Sequence, residues 1–212
     1  MAPCDTLGGR YRPVPRGSER MSDPVEIPGG RRAVGRLDRP DADRVVVACP
    51  PHPQHGGTRS DPRLRAVSDA LAPDIACLRF DYGPWDEGRG ERTDAEHALE
   101  WAEPRFESVG LFGYSFGAGV ALRAAAVADH PPAACSVLAP PGESAVVAAL
   151  DGIACPVQII AGERDETVDA GPVLARAREL DSAVETIPAD HHFAGQSGRI
   201  GALVASFFAD SA

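Results

Sequence analysis

A serine flanked at two residues' distance by glycines, in Gly113-Tyr114-Ser115-Phe116-Gly117, is where this chain first offers chemistry. A serine hydroxyl is a poor nucleophile until an imidazole takes its proton, and that imidazole needs a carboxylate to fix its tautomer and stabilise its charged form. The glycines suit a sharp turn. Side chains two residues before and after the serine would collide with neighbouring backbone, and glycine removes them. An apolar run, Val109 to Phe112, precedes the motif, and an alanine-rich stretch running on through Ala118, Leu122, Ala125 and Val127 follows it. Strand, G-x-S-x-G, helix is the context in which such a serine stands clear of a sheet, close to free backbone N–H groups at the helix start.

The acid and the base should lie at the carboxyl ends of later strands, where functional groups gather in an open parallel sheet. Gly162-Glu163-Arg164-Asp165 follows the apolar run Val157 to Ala161, and Asp190-His191-His192-Phe193 follows Val184 to Ile187. Ser115, Asp165 and His191 then stand in the order serine, acid, histidine. Glu163 and Asp169 rival Asp165 as the acid, and His192 rivals His191 as the base. Asp190, which adjoins the base in the chain, reads as a turn residue.

Acyl transfer also develops an oxyanion that two N–H donors must face. The N–H of Phe116, next after the serine, is one candidate. The other should come from Pro50-Pro51-His52-Pro53-Gln54-His55-Gly56-Gly57, after the strand Arg44 to Cys49. Pro53 has no N–H, which leaves Gln54. Gly56 and Gly57 let the loop close over the site, and His52 could hold it by hydrogen bonds. Tyr82, Trp85 and Phe116 are candidates for the wall of an acyl pocket; a surface-capping role competes for Trp85. The charged run Asp86 to Asp94 reads as a solvated loop.

These positions demand elements to carry them. A hairpin is expected from Val25 to Leu37 around Pro28-Gly29-Gly30. Strands follow at 44–49, 75–80, 109–112, 134–138, 157–161 and 184–187. Helices follow at 62–71, with Asp61 as N-cap and Pro62 in the first turn, and at 93–101, opened by Thr93-x-x-Glu96 as a capping box. Further helices are expected at 118–129, 143–150, 172–180 and 198–208. Alternating strands and helices imply a mostly parallel sheet with helices on both faces. RVVVAC and VQIIA, continuous apolar runs but for Arg44 and Gln158, suit strands covered on both sides.

The chain has 212 residues, enough for one domain with a sizeable core, expected over residues 21–212. Residues 1–20, rich in proline, glycine and arginine, read as a disordered tail. Met21 reads as an alternative start, which would make the first twenty an over-long reading of the gene. A hydrophobic share of 43% and a charged share of 25% suit a soluble globule. No apolar run approaches a membrane span and no secretory signal is evident, so a cytoplasmic location is expected. Net charge is −10, and all 21 basic residues are arginine. That balance argues against nucleic acid or an anionic membrane as partner and suits a high-salt cytoplasm, although a GC-rich genome gives the same arginine bias. Five cysteines without C-x-x-C spacing speak against disulfides or zinc. Cys49, Cys77 and Cys135 read as core residues. His52 and His55 lack the partners of a metal site, and no metal or other cofactor is expected.

PHPQHGGT, LRFDY, GRGERTDAEHAL, GYSFGAGVAL, LAPP, AGERDETV and ADHHF, in this order from about Val45 to Phe208, together resemble the small α/β-superfamily hydrolases close to the dienelactone hydrolases. The resemblance implies an α/β-hydrolase fold without a lid domain and a serine triad of Ser115, Asp165 and His191. It is not complete. RFDYGPW stands where RFNFRG is usual, His192 stands where an aromatic is usual, and Ser115 stands where dienelactone hydrolases themselves carry cysteine. The expected activity is cleavage of a small carboxylic ester or thioester through an acyl-enzyme, with a small-molecule acyl substrate as partner. The alternatives are a non-catalytic binding protein on the same fold, and the same three residues working as a peptidase or acyltransferase. The sequence says nothing of oligomeric state.

Overall fold

The computed structural model describes residues 22–211; the first twenty residues, read above as a tail, lie outside them. Among the described residues eight strands form one sheet in the order β1-β2-β4-β3-β5-β6-β7-β8. They are β1 Ser22–Glu26, β2 Val34–Asp38, β3 Arg44–Cys49, β4 Ile75–Asp81, β5 Ser108–Tyr114, β6 Cys135–Leu138, β7 Val157–Gly162 and β8 Ala183–Ile187. The hairpin β1–β2 joins β4 antiparallel. From β4 to β8 every pairing is parallel. The helices are α1 Pro62–Leu71, α2 Arg89–Ala102, α3 Phe116–Ala125, α4 Ser144–Ala149, α5 Gly171–Glu179 and α6 Ser197–Asp210. This is the lidless α/β-hydrolase fold expected from the sequence.

The central strands show why their sequences are apolar on both faces. Along β3, Val45, Val47 and Cys49 enter one core with α2, α3, α4 and α5, while Val46 and Ala48 enter a second core with α1 and α6. Each such buried aliphatic side chain contributes on the order of 1.5–3 kcal/mol. The edges are built differently: β1 carries Asp23, Pro24 and Glu26, and β8 carries Glu185 and Thr186, polar or ring-blocked residues that discourage further pairing.

The largest departure from the sequence reading is α2. It begins at Arg89, about a turn before Thr93, so Thr93 is not its cap. The run from Asp86 to Asp94 is not a solvated loop. Glu91 is fully buried, and its carboxylate accepts the N–H of Asp86 at 2.9 Å and of Gly88 at 2.7 Å. That pair of bonds closes the helix start and displaces the boundary towards the N-terminus. Asp94, also buried, accepts from Gly83 N–H and from Arg31 Nε, both at 2.9 Å. The other shift is at α3, which stops at Ala125: the Ala126 N–H turns back on Leu122 and Ala124, ahead of the two prolines, and leaves Val127 exposed.

Candidate active site

β5 runs through six buried residues to Tyr114, and α3 begins at Phe116, so Ser115 alone makes the turn between them. Its backbone pays for this with φ +56° and ψ −121°, a conformation that L-residues avoid. Gly113 and Gly117 are required for the reason inferred from sequence. A Cβ on Gly113 would overlap the Gly117 carbonyl, and one on Gly117 would overlap the carbonyls of Cys49 and Pro50. The Ser115 N–H donates to Leu138 O at 2.8 Å, fixing the turn to the end of β6.

Ser115 Oγ lies 2.9 Å from His191 Nε2, and His191 Nδ1 lies 2.7 Å from Asp165 Oδ2. The carboxylate can only accept, so Nδ1 carries the ring proton and Nε2 is left to accept from the hydroxyl. The other carboxylate oxygen, Asp165 Oδ1, accepts the N–H groups of Thr167 at 2.9 Å and Val168 at 3.1 Å. His191 is only 6% exposed, which shields the row from water. The rivals stand elsewhere. Glu163 is exposed, Asp169 Oδ1 is engaged with Gly171 N–H, and Asp190 Oδ1 accepts from His192 N–H as a turn residue should. His192 is exposed, its ring 5.7 Å from that of His191.

Tyr114 was not singled out in the sequence, yet its hydroxyl donates to His191 O at 2.9 Å and ties the loop after β8 to the strand that carries the serine. Burial pushes its pKa up to about 12, so it stays a donor at neutral pH. Arg63 lies over the same ring at 4.5 Å. Only its position, directly before the serine, could have drawn attention to it.

Phe116 opens α3, where backbone N–H groups have no acceptor within the helix. Gln54 lies in the short 3₁₀ turn Pro53–His55, its N–H donating to His52 Nδ1 at 3.3 Å. His52 thus holds the loop together, its carbonyl also accepting from His55 and Gly57. Tyr82 is buried, donates to Pro50 O at 3.1 Å and meets the Phe116 ring edge-on at 5.9 Å. Trp85, 37% exposed, lies 4.6 Å from His52 and 5.6 Å from Phe116 between ring centroids. It is both partly on the surface and part of the aromatic group beside the serine.

The bonds to Glu91 and Asp94 hold the loop that bears Trp85, and the sequence reading missed them. The signal was present: Glu91, Asp94, Ala95, Ala98, Leu99 and Ala102 recur at helical spacing and are all buried on one side of α2.

Cys49, Cys77 and Cys135 are buried, and burial pushes their thiols up, that of Cys77 to about 12. Protonated thiols in such surroundings are inert. Among the described residues no group of three His, Cys, Asp or Glu side chains could hold a metal ion, and no helix is long and apolar enough to cross a membrane.

Residues 86–206 match the model of the dienelactone hydrolase family. No curated protein matches the chain. Among solved structures it is similar to an α/β serine hydrolase homologue from Coxiella burnetii, with 27% identity and a TM-score of 0.77 over 90% of this chain and 99% of that one. It also shares its fold with a lidless α/β serine hydrolase from Xanthomonas campestris, with 23% identity and a TM-score of 0.76 over 91% and 96% of the two chains. A dienelactone hydrolase from Anabaena variabilis has the same fold, with 22% identity and a TM-score of 0.75 over 90% and 99%. The matched segment holds the elbow, the acid and the histidine, and it is more than half of the chain. The chain belongs to the dienelactone hydrolase family and is a hydrolase.

Proposed function

We propose that this hydrolase cleaves small carboxylic esters or thioesters through a covalent acyl-enzyme on Ser115. The observation that carries the proposal is the row Ser115 Oγ, His191 and Asp165, with heavy atoms 2.9 and 2.7 Å apart. His191 Nε2 takes the hydroxyl proton as Ser115 attacks the carbonyl carbon, then gives it to the departing alcohol or thiol. Water, deprotonated by the same nitrogen, releases the acid. The Asp165 carboxylate stabilises the imidazolium.

The oxyanion is held by the Phe116 N–H and by the Gln54 N–H, which exchanges its 3.3 Å bond to His52 for the developing charge. A bond that long costs little to give up. Phe116, Trp85 and Tyr82 form the acyl wall, which favours small, flat acyl groups. All three members of the row are present and in contact, which disfavours a purely binding role. The protein acts as one domain over residues 21–212 in the cytoplasm, and its acidic character points to small-molecule substrates rather than nucleic acid or membrane.

Replacing Ser115 with alanine tests the reading. Hydrolysis of p-nitrophenyl acetate should fall by about 10⁴- to 10⁶-fold in kcat, with the thermal unfolding profile kept. Activity that survives the change would exclude Ser115 as the nucleophile.

A further inference from the structure

A concavity lies away from the serine, on the α1 side of the sheet between α1 and the β1–β2 hairpin. Its volume is about 520 Å³, within the range of small-molecule sites, and neither Ser115, His191 nor Asp165 lines it. Five arginines do: Arg36, Arg39, Arg59, Arg65 and Arg79. Among the described residues two carboxylates, Asp38 and Asp69, share the lining. In a chain of net charge −10, this is a local reversal of sign.

The floor of the cleft is rigid. Arg79 is 8% exposed, with Nε and Nη2 each 2.7 Å from Asp38 Oδ2 and Nη1 donating to Arg59 O at 2.6 Å. The same Asp38 oxygen accepts from buried Ser68 at 2.8 Å. Arg59 is paired with Asp81 through its guanidinium, and its N–H donates to Asp81 Oδ1 at 2.6 Å. The ion pairs are used up there. Arg36 reaches Asp38 only at 3.7 Å, and among the described residues Arg39 and Arg65 make no ion pair. Guanidinium groups gathered at one cleft repel one another, and a bound anion removes that cost.

We propose that this cleft binds a small molecule through a phosphate group. Several forked donors, with the hydroxyls of Ser22 and Ser60 beside them, suit a tetrahedral dianion with many acceptor oxygens better than a single carboxylate. The acidic surface elsewhere repels a polyanion, which excludes nucleic acid and keeps the ligand small. The segment before Ser22 is a poor occupant. Its charged residues are Arg10, Arg12, Arg16 and Arg20 against Asp5 and Glu19, a net cationic sequence.

The test is calorimetric titration of the full chain with inorganic phosphate and, separately, with succinate, at constant ionic strength set by chloride. Phosphate should bind saturably with Kd of about 1 mM or tighter, and succinate at least about tenfold more weakly. R39A/R65A should weaken phosphate binding by about tenfold or more while leaving p-nitrophenyl acetate hydrolysis unchanged. R39Q/R65Q carries the same test should the alanine pair lose the native circular dichroism spectrum. The proposal is overturned by the absence of saturable phosphate binding, by equal binding to the double variant, or by a preference for succinate.

Discussion

Replacing Asp165 with asparagine changes one atom and should reverse the chemistry of the histidine. The Thr167 and Val168 N–H groups both point at Asp165 Oδ1, at 2.9 and 3.1 Å. An asparagine must therefore place its carbonyl oxygen there, because its NH₂ would face two donors. The NH₂ is then turned towards His191 Nδ1, where Asp165 Oδ2 now sits at 2.7 Å. A donor at that point forces Nδ1 to accept and moves the ring proton to Nε2, the nitrogen 2.9 Å from Ser115 Oγ. That nitrogen can no longer take the serine proton, and the imidazolium loses its counter-charge. The expected fall in kcat is about 10⁴-fold, equivalent to about 5.4 kcal/mol of transition-state stabilisation. KM should change little, because the acid touches no substrate. Steady-state hydrolysis of p-nitrophenyl acetate by the folded variant measures it. A loss smaller than about tenfold would refute the tautomer argument and with it the role given to Asp165.

Two further outcomes follow from groups around the site. Glu91→Ala leaves the buried Gly88 N–H and the half-buried Asp86 N–H without their acceptor, at about 1–3 kcal/mol for the buried one, so chemical denaturation should show a loss of at least about 1–3 kcal/mol together with a change in Trp85 fluorescence. Burial first, and the neighbouring His55 second, lower the His52 pKa from its ordinary 6.5, so folding favours the neutral ring. The stability this confers is whole above pH 6.5 and is lost as pH falls through the lowered value. His52→Asn keeps an acceptor for the Gln54 N–H but cannot titrate, so its melting temperature should drop less than the wild type's between pH about 7.5 and about 5.

The fold was legible because its signals are local. RVVVAC occupies the strand Arg44–Cys49, and Asp61-Pro62 opens the helix Pro62–Leu71, its carboxylate accepting from Arg63 N–H at 2.8 Å. The serine turn was legible for the same reason, since two glycines two residues away have a steric cause. The choice of Asp165 over Glu163 and of His191 over His192 needed the order of the strand ends and the family resemblance, because side-chain direction in a loop is set by contacts far away in the chain. The start of α2 was misread because Glu91 and Asp94 look solvated by composition. Glu91 is buried on the N–H groups of Asp86 and Gly88, which a charged composition does not reveal, and Asp94 on Arg31, which comes from the β1–β2 connection 63 residues before it. Tyr114 shows the same limit: its hydroxyl finds a carbonyl 77 residues on.

Treatment with a fluorophosphonate followed by peptide mass mapping tests the nucleophile most directly. One phosphonyl adduct is expected, on the peptide that contains Ser115, with esterase activity lost in step with labelling and no adduct on Ser115→Ala. An adduct on another residue, or full activity in a protein whose Ser115 is labelled, would contradict it.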